Sequence, residues 1–320
     1  MITKHQLPVW PEDDSTKYFK TYNKIIKNFE QAFEVYYPQT QILFIDNTYL
    51  NVEQICSVVM SNQCDVVAIF SFVDPPYPWH YLDEVLSQKF PNLIKRFIGN
   101  ESPDINIPFF WLLTVNEMQQ YQTLELVPDQ LDLVYLNYNN KPHEHRTRLL
   151  HELEKNNLLQ FGHSTMAQDL SMENNRVQNL GPLDLWRRHF LNIDNATVFR
   201  IGNDHLLLTE KEFKPLLGLR PFVVNGSPRY YQVLEKLGFD LFTDIIPINQ
   251  LSMETDDVDI TMQHCHKVIC DLIRELSKEN LGLLYDKILP RLLDNRNHVI
   301  DHGRYLVDKW CNQTIDLKKS

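Results

Sequence analysis

Three stretches of this chain place charged or polar residues directly after short apolar runs, where they could act on a ligand. The first run, Leu131 to Tyr138, leads into Asn139-Asn-Lys-Pro-His-Glu-His-Arg146. Lys141, His143, His145 and Arg146 at a strand-to-helix turn can clamp a diphosphate beside the helix N-terminus. The same charges also suit the solvated first turn of a surface helix. The second stretch is Thr209-Glu-Lys-Glu-Phe-Lys-Pro215, followed by Arg220-Pro-Phe-Val-Val-Asn-Gly226. Here the Glu210 carboxylate can accept from ribose hydroxyls while Lys211 neutralises phosphate. Capping by Thr209 with ordinary surface charge fits that spacing as well. The third, Pro228 to Phe242, reads as a helix end, a turn and a strand that simply pack.

In the first half the residues that stand out are Phe72-Val-Asp-Pro-Pro-Tyr-Pro-Trp-His80. Three prolines stiffen this loop, and Tyr77 and Trp79 offer flat faces to a sugar or a base. Asp74 is the candidate general base, with His80 and Asp46 behind it. An Asp before Pro-Pro is equally at home in a plain turn. Two further groupings carry weaker chemistry. Asp257-Val-Asp259 has the form of a metal-holding DxD, but a helix cap accounts for it better. His264-Cys-His266 with Cys270 contains metal-ligand atoms, yet on a helix His264 and His266 point apart.

The elements that must position these residues alternate between β-branched, aromatic runs and amphipathic stretches, the pattern of βα units around a parallel sheet. Strands are expected at Gln41 to Asp46, Asp65 to Val73, Leu93 to Ile98, Ile107 to Thr114, Leu131 to Tyr138, Ala196 to Ile201 and Pro221 to Asn225. Helices are expected at Val52 to Ser61, His80 to Phe90, His143 to Leu159, from Thr209, and at Pro228 to Leu237. From about Thr261 the pattern is purely helical. The fold class that follows is α/β, with two Rossmann-like domains facing across a cleft and a helical C-terminal tail. The domains would be 1–130, on the acceptor side, and 131–320, which would bind the ligand.

Composition narrows the function. With 320 residues, 43% hydrophobic and 23% charged, the chain has a globular make-up. A net charge of −11 argues against a surface tuned to nucleic acid or anionic lipid. No apolar run is long enough to span a membrane and the N-terminus is polar, so a cytoplasmic protein is expected. Five cysteines without a CxxC read as reduced, structural thiols. The nine glycines form neither GxGxxG nor GxxxxGK[ST], so any bound phosphate must be held by side chains and helix N-termini.

The order Thr209-Glu210-Lys211, Lys214-Pro215, Pro221-Phe-Val-Val and Leu237-Gly-Phe-Asp-Leu-Phe242 resembles the donor-site segment of GT-B-fold glycosyltransferases of the fucosyltransferase and exostosin type. It is most similar to an uncharacterised set of viral and bacteriophage proteins related to them. There, a strand ending near Asn137 leads to a pair like His145-Arg146, and the tail resembles Leu284-Tyr285, Ile288-Leu-Pro290 and Asn295 to His298. The resemblance covers about 131–300.

It implies a nucleotide-sugar donor as co-substrate, with no tightly bound cofactor and no required divalent metal. Donor contacts would come from Arg146, Glu210 and Lys211, with Asn137 and Lys214 nearby. Where such families carry a Glu with Ser or Thr after the strand matched to Ala196 to Ile201, this chain has Arg200-Ile-Gly-Asn-Asp204, and Arg200 would contact phosphate instead. The acceptor would be a glycan or a small molecule, with a hydroxymethylated base in viral DNA ranked second. A viral protein would work in the host cytoplasm. The alternative is a nucleotide or sugar-phosphate binding module without catalysis.

Overall fold

A computed structural model describes residues 1–5, 17–47, 50–71, 79–99, 102–128, 130–139, 142–164, 180–196, 199, 201, 206 and 208–317. The chain is mixed α/β and divides into two compact units, Met1–Glu117 with Gly303–Ser320, and Met118–His302. The sequence pattern places one cut, at 130/131, with the whole tail in the second domain.

The first unit contains β1 (Ile2–His5), α1 (Lys17–Tyr36), β2 (Ile42–Asp46), α2 (Val52–Asn62), β3 (Val66–Ser71), α3 (Trp79–Lys89), β4 (Ile94–Gly99), β5 (Ile105–Asn106) and α4 (Phe109–Glu117). Its strands pair in parallel in chain order, β1-β2-β3-β4-β5. Every residue of β3, Val-Val-Ala-Ile-Phe-Ser, is buried, as a parallel strand covered on both faces requires. On one face Phe29 and Phe33 of α1 meet Phe70 and Phe44, with ring centroids 5.7 and 5.2 Å apart. On the other, Leu43, Ile45, Val67 and Ile69 pack against Ile55 and Val59 of α2 and Leu82 and Leu86 of α3.

The C-terminal stretch closes on the same unit. Phe29 stacks on Trp310, and Asn28 Nδ2 donates to the Trp310 carbonyl at 3.0 Å. The apolar residues of Ile107 to Thr114, expected as a strand, form α4 instead. They are buried almost without interruption, and such a run has no period that separates a strand from a buried helix.

The second unit contains β6 (Leu133–Asn137), α5 (Glu144–Lys155), β7 (Gly162–Ser164), α6 (Leu183–Arg188), β8 (His189–Asn195), α7 (Glu210–Leu217), β9 (Phe222–Asn225), α8 (Arg229–Lys236), α9 (Ile248–Leu251) and α10 (Val258–Leu276). It also holds most of α11 (Leu281–Val307). Its strands are parallel in the order β7-β6-β8-β9. β7 lies against β6 at a position where only glycine fits, since a Cβ on Gly162 would sit 2.4 Å from the Tyr135 ring.

Two expectations are corrected. The strand placed at Ala196 to Ile201 is β8, and it ends at Asn195. Residues 239–242, expected as a strand, form an irregular turn after Gly238, whose φ of 88° suits a helix C-terminus. Helix α11 holds that turn: Asn295 Nδ2 donates to the Asp240 carbonyl at 2.8 Å, and Arg291 pairs with the Asp240 carboxylate at 2.5 Å. Tyr285 donates to the Leu219 carbonyl at 3.1 Å. Tyr285 and Asn295 of the tail thus brace the segments before and after β9.

Among the described residues no helix is long and apolar enough to cross a membrane. The cysteines are free thiols, and burial pushes Cys265 up to about 12 and Cys270 to about 11.

Candidate functional site

Ligands of open parallel sheets bind beyond the carboxyl ends of the strands, where the winding of the chain reverses. In the second unit the chain passes from β6 outward to β7, then returns past β6 to β8 and β9, so the reversal falls between β6 and β8. The strands end there in polar residues: Ser164, Asn137, Asn195 and Asn225.

These side chains form one buried line of hydrogen bonds. His266 Nε2, on α10, donates to Asn225 Oδ1 at 3.0 Å, and Asn225 Nδ2 donates to Asn195 Oδ1 at 2.8 Å. Asn195 Nδ2 donates in turn to Asn137 Oδ1, which also accepts from Asn139 Nδ2 at 3.0 Å. Asn137 Nδ2 faces Ser164 Oγ at 3.4 Å. All donors run in one direction, and the bonds of such a line reinforce one another.

The first turn of α5 sends two residues into the same region. His145 and Arg146 are both buried. His145 Nε2 donates to the Ala196 carbonyl at 2.9 Å, and Arg146 Nη2 donates to Ala196 at 2.8 Å and to Asn195 at 3.3 Å. Burial pushes the imidazoles of His145 and His266 down to about 4, so both are neutral at pH 7.

The first turn of α7 is fixed by a capping box. The backbone N–H and hydroxyl of Thr209 donate to Glu212 Oε2 at 2.6 and 2.9 Å, and Thr209 Oγ1 accepts from the Lys211 N–H at 3.3 Å. With that turn locked, Glu210, Lys211 and Lys214 line a cavity of about 110 Å³ at the end of β8, together with Arg146, Asp194 and Asn195. Tyr138, Trp186, Asn192 and Ile193 complete its wall. Pockets for whole ligands run to about 300–1,000 Å³, so this one suits a portion of a ligand.

Its electrostatics are mixed. Burial lowers the pKa values of Arg146 and Lys214, and the neighbouring carboxylates, Asp194 and Glu210 for Arg146 and Glu210 for Lys214, oppose that shift. Burial first, and then the charge of Glu212, push the Asp194 carboxyl well above the usual range. Burial also brings Glu212 to about 7. Asp194 Oδ2 and Glu212 Oε1 are buried and have no hydrogen-bond partner among the described residues. The arrangement can hold an anion on its cations and bind a hydroxyl group on its carboxylates.

Four of the six residues expected at a donor site, Arg146, Glu210, Lys211 and Lys214, share this wall. Asn137 lies behind it and touches it through Asn195. Arg200 and Lys141 lie outside the described residues, as does Asp74. His80 is exposed in the first turn of α3, in the other unit. In that unit Asp46 Oδ2 accepts from the Tyr22 hydroxyl at 2.8 Å, and the side chain of Asn47, fully buried, has no hydrogen-bond partner among the described residues.

Sequence reasoning missed Asp194, Asn195, Asn225 and His266 as members of the site. A signal was available: the segments Leu-Val-Tyr-Leu-Asn, His-Phe-Leu-Asn-Ile-Asp-Asn and Phe-Val-Val-Asn all end in asparagine.

A larger groove, about 980 Å³, runs between α5 and α10. Its cations are already paired: Arg148 with Glu144 and Asp259, Lys155 with Glu152, and Lys267 and Arg274 with Asp271. Asp257 caps α10, accepting from the N–H groups of Asp259 and Ile260 at 2.8 and 3.1 Å. His264 bonds the Gln250 carbonyl at 3.0 Å, away from His266 and its partner Asn225. Among the described residues no three His, Cys, Asp or Glu side chains are grouped to hold a metal ion. Comparison with protein-family models, curated proteins and solved structures gives no match to this chain.

Proposed function

We propose that this protein is a glycosyltransferase of GT-B-like design that takes a sugar from a nucleotide-sugar held by its second unit. The observation that carries the reading is the shared cavity wall of Arg146, Glu210, Lys211 and Lys214 beside the switch point of a parallel sheet. These residues come from two helices more than sixty positions apart, and the resemblance to the fucosyltransferase and exostosin type associates them with a donor.

In this reading Arg146, Lys211 and Lys214 stabilise the negative charge that develops on the departing nucleoside diphosphate. They serve in place of a divalent metal, and no resident cofactor takes part. Glu210 accepts from ribose hydroxyls. The acceptor hydroxyl loses its proton to the Asp74 carboxylate, with His80 and Asp46 as the other candidate bases. Acceptors are a glycan or a small molecule first, and a hydroxymethylated DNA base second, in the cytoplasm of a cell or viral host.

The test is release of nucleoside diphosphate from a panel of UDP-, GDP- and ADP-linked sugars, and of CMP from CMP-linked sugars, with and without mixed acceptors. Release with one donor, abolished in Lys211→Ala, supports the reading. Binding without release under any acceptor condition would mark a binding module, and neither binding nor release would remove the donor assignment.

A further inference from the structure

Asp194 is the penultimate residue of β8 and is 6% exposed. It lines the cavity between Arg146 on one side and the first turn of α7 on the other, yet its Oδ2 has no hydrogen-bond partner among the described residues. A buried carboxyl oxygen left unpaired has lost its water without gaining a partner, and so costs stability. Such a group persists where something outside the chain completes it.

The geometry points to Asp194 as the residue that reads a hydroxyl group of the bound ligand, making this cavity selective for phosphorylated polyols over bare phosphates. The inference rests on the donor-site reading above and adds a specificity determinant to it. Three cations already line the cavity for phosphate oxygens, so Asp194 is not needed to attract the anion, and as a carboxylate it would repel it. A hydroxyl both donates and accepts, so it can pair with Oδ2 whether or not the carboxyl holds a proton. A phosphate oxygen can pair only with the protonated form. Burial and the nearby Glu212 favour that proton, and a hydroxyl is the partner that tolerates either state.

The hydroxyl can belong to the ribose of the nucleotide or to the sugar being transferred. A site built to bond a hydroxyl discriminates strongly against analogues that lack it, because the buried group is then left unpaired.

The experiment is calorimetric titration of the full chain with inorganic pyrophosphate, with UDP, GDP and ADP and their 2′-deoxy and 3′-deoxy forms, and with glucose 1-phosphate. It compares the natural protein with Asp194→Ala and Asp194→Asn. In the natural protein a hydroxylated ligand should bind at least tenfold tighter than pyrophosphate. In Asp194→Ala that ratio should fall at least fivefold, and pyrophosphate affinity should stay the same or rise. A fall confined to the nucleoside diphosphates and abolished by one deoxy form identifies the ribose, whereas a fall confined to glucose 1-phosphate identifies the transferred sugar.

If Asp194→Ala weakens pyrophosphate and nucleotide equally, Asp194 touches phosphate and the inference is wrong. An unchanged ratio in a folded variant also overturns it. Asp194→Asn, nearly the same shape, serves if the alanine variant fails to fold, and should lower the ratio in the same direction. Failure of the underlying reading looks different, because then the natural protein binds no diphosphate, pyrophosphate included.

Discussion

Arg146, in the first turn of α5, reaches across to the end of β8 and donates to the carbonyl of Ala196 at 2.8 Å. One guanidinium thereby ties a helix start to a strand end fifty residues later in the chain and presents its charge to the cavity between them. Structure and binding meet in one side chain, and substitutions should expose both roles.

Arg146→Lys keeps the charge but loses the planar fork that bonds the Asn195 and Ala196 carbonyls while facing the cavity. Nucleoside diphosphate affinity should drop roughly tenfold or more. Arg146→Ala should also cost about 2–4 kcal/mol of stability, since buried carbonyls and Asp194 lose their neighbour. Chemical denaturation alongside calorimetry would measure both. Full stability in Arg146→Ala would contradict the anchoring role.

Lys211 should separate the two effects. It is partly exposed on the capped first turn of α7, and its loss leaves Thr209 and Glu212 paired. Lys211→Ala should unfold at nearly the natural denaturant concentration while losing about 1.5–3 kcal/mol in nucleoside diphosphate binding. Equal binding in variant and natural protein would remove Lys211 from the site.

The asparagine line should be a matter of stability first. Asn225 Nδ2 and Oδ1 serve Asn195 and His266, so Asn225→Ala leaves two buried polar groups unpaired. A loss of about 2–4 kcal/mol is expected from equilibrium unfolding. A loss below 0.5 kcal/mol would show that the line bears little of the fold.

Acid sensitivity follows from the two buried imidazoles. Their folded-state values, near 4, lie below the ordinary 6.5, so between these limits the unfolded chain binds protons first and stability falls as pH falls. Each contributes a loss of up to roughly 3 kcal/mol by pH 4. Glu212 acts with the opposite sign. Its value is raised to about 7, so its contribution is fully present below pH 4.5 and is lost as pH rises toward 7. Unfolding free energy measured from pH 4 to 7.5 should therefore vary less steeply below pH 6.5 in His266→Gln. In Glu212→Gln the acid-side loss should steepen. An unchanged profile in His266→Gln would mean that His266 is not held neutral by the fold.

Much of this arrangement was legible in the sequence, and the failures have physical causes. Thr209 with Glu212 three positions on is a strong local signal, and α7 starts where that signal places it. β3 and β6 are short apolar runs bounded by polar residues, and the expected strands lie close to their observed limits. α4 was mistaken for a strand because its apolar run has no amphipathic period. β8 was placed too late because His189, Asn192, Asp194 and Asn195 make it look polar, although all four are buried. For His189 and Asn195 that burial is compensated by a bond from His189 to the Leu185 carbonyl and by the asparagine line, partnerships that cross strands and helices and leave no trace in local spacing. Residue type and spacing make Arg146, Glu210 and Lys211 candidates, but charge at helix starts is too common to single them out, and the resemblance is what favours them, with Lys214, over a solvated helix start. Asp194 carried no signal of its own, because its significance lies in an unpaired oxygen that only the folded chain displays.

The central claim, that the cavity beside β8 receives the diphosphate of a nucleotide-sugar, is tested most directly by thermal unfolding of the natural protein and Lys211→Ala against UDP, GDP, ADP, CMP and their sugars, with and without Mg²⁺. A ligand bound only by the folded state raises its apparent stability, by about 2.7 kcal/mol at a hundredfold excess over the dissociation constant. The account predicts that one nucleotide series raises the midpoint of the natural protein without Mg²⁺, and that Lys211→Ala loses most of that rise. No rise with any nucleotide, or an equal rise in both proteins, would contradict it.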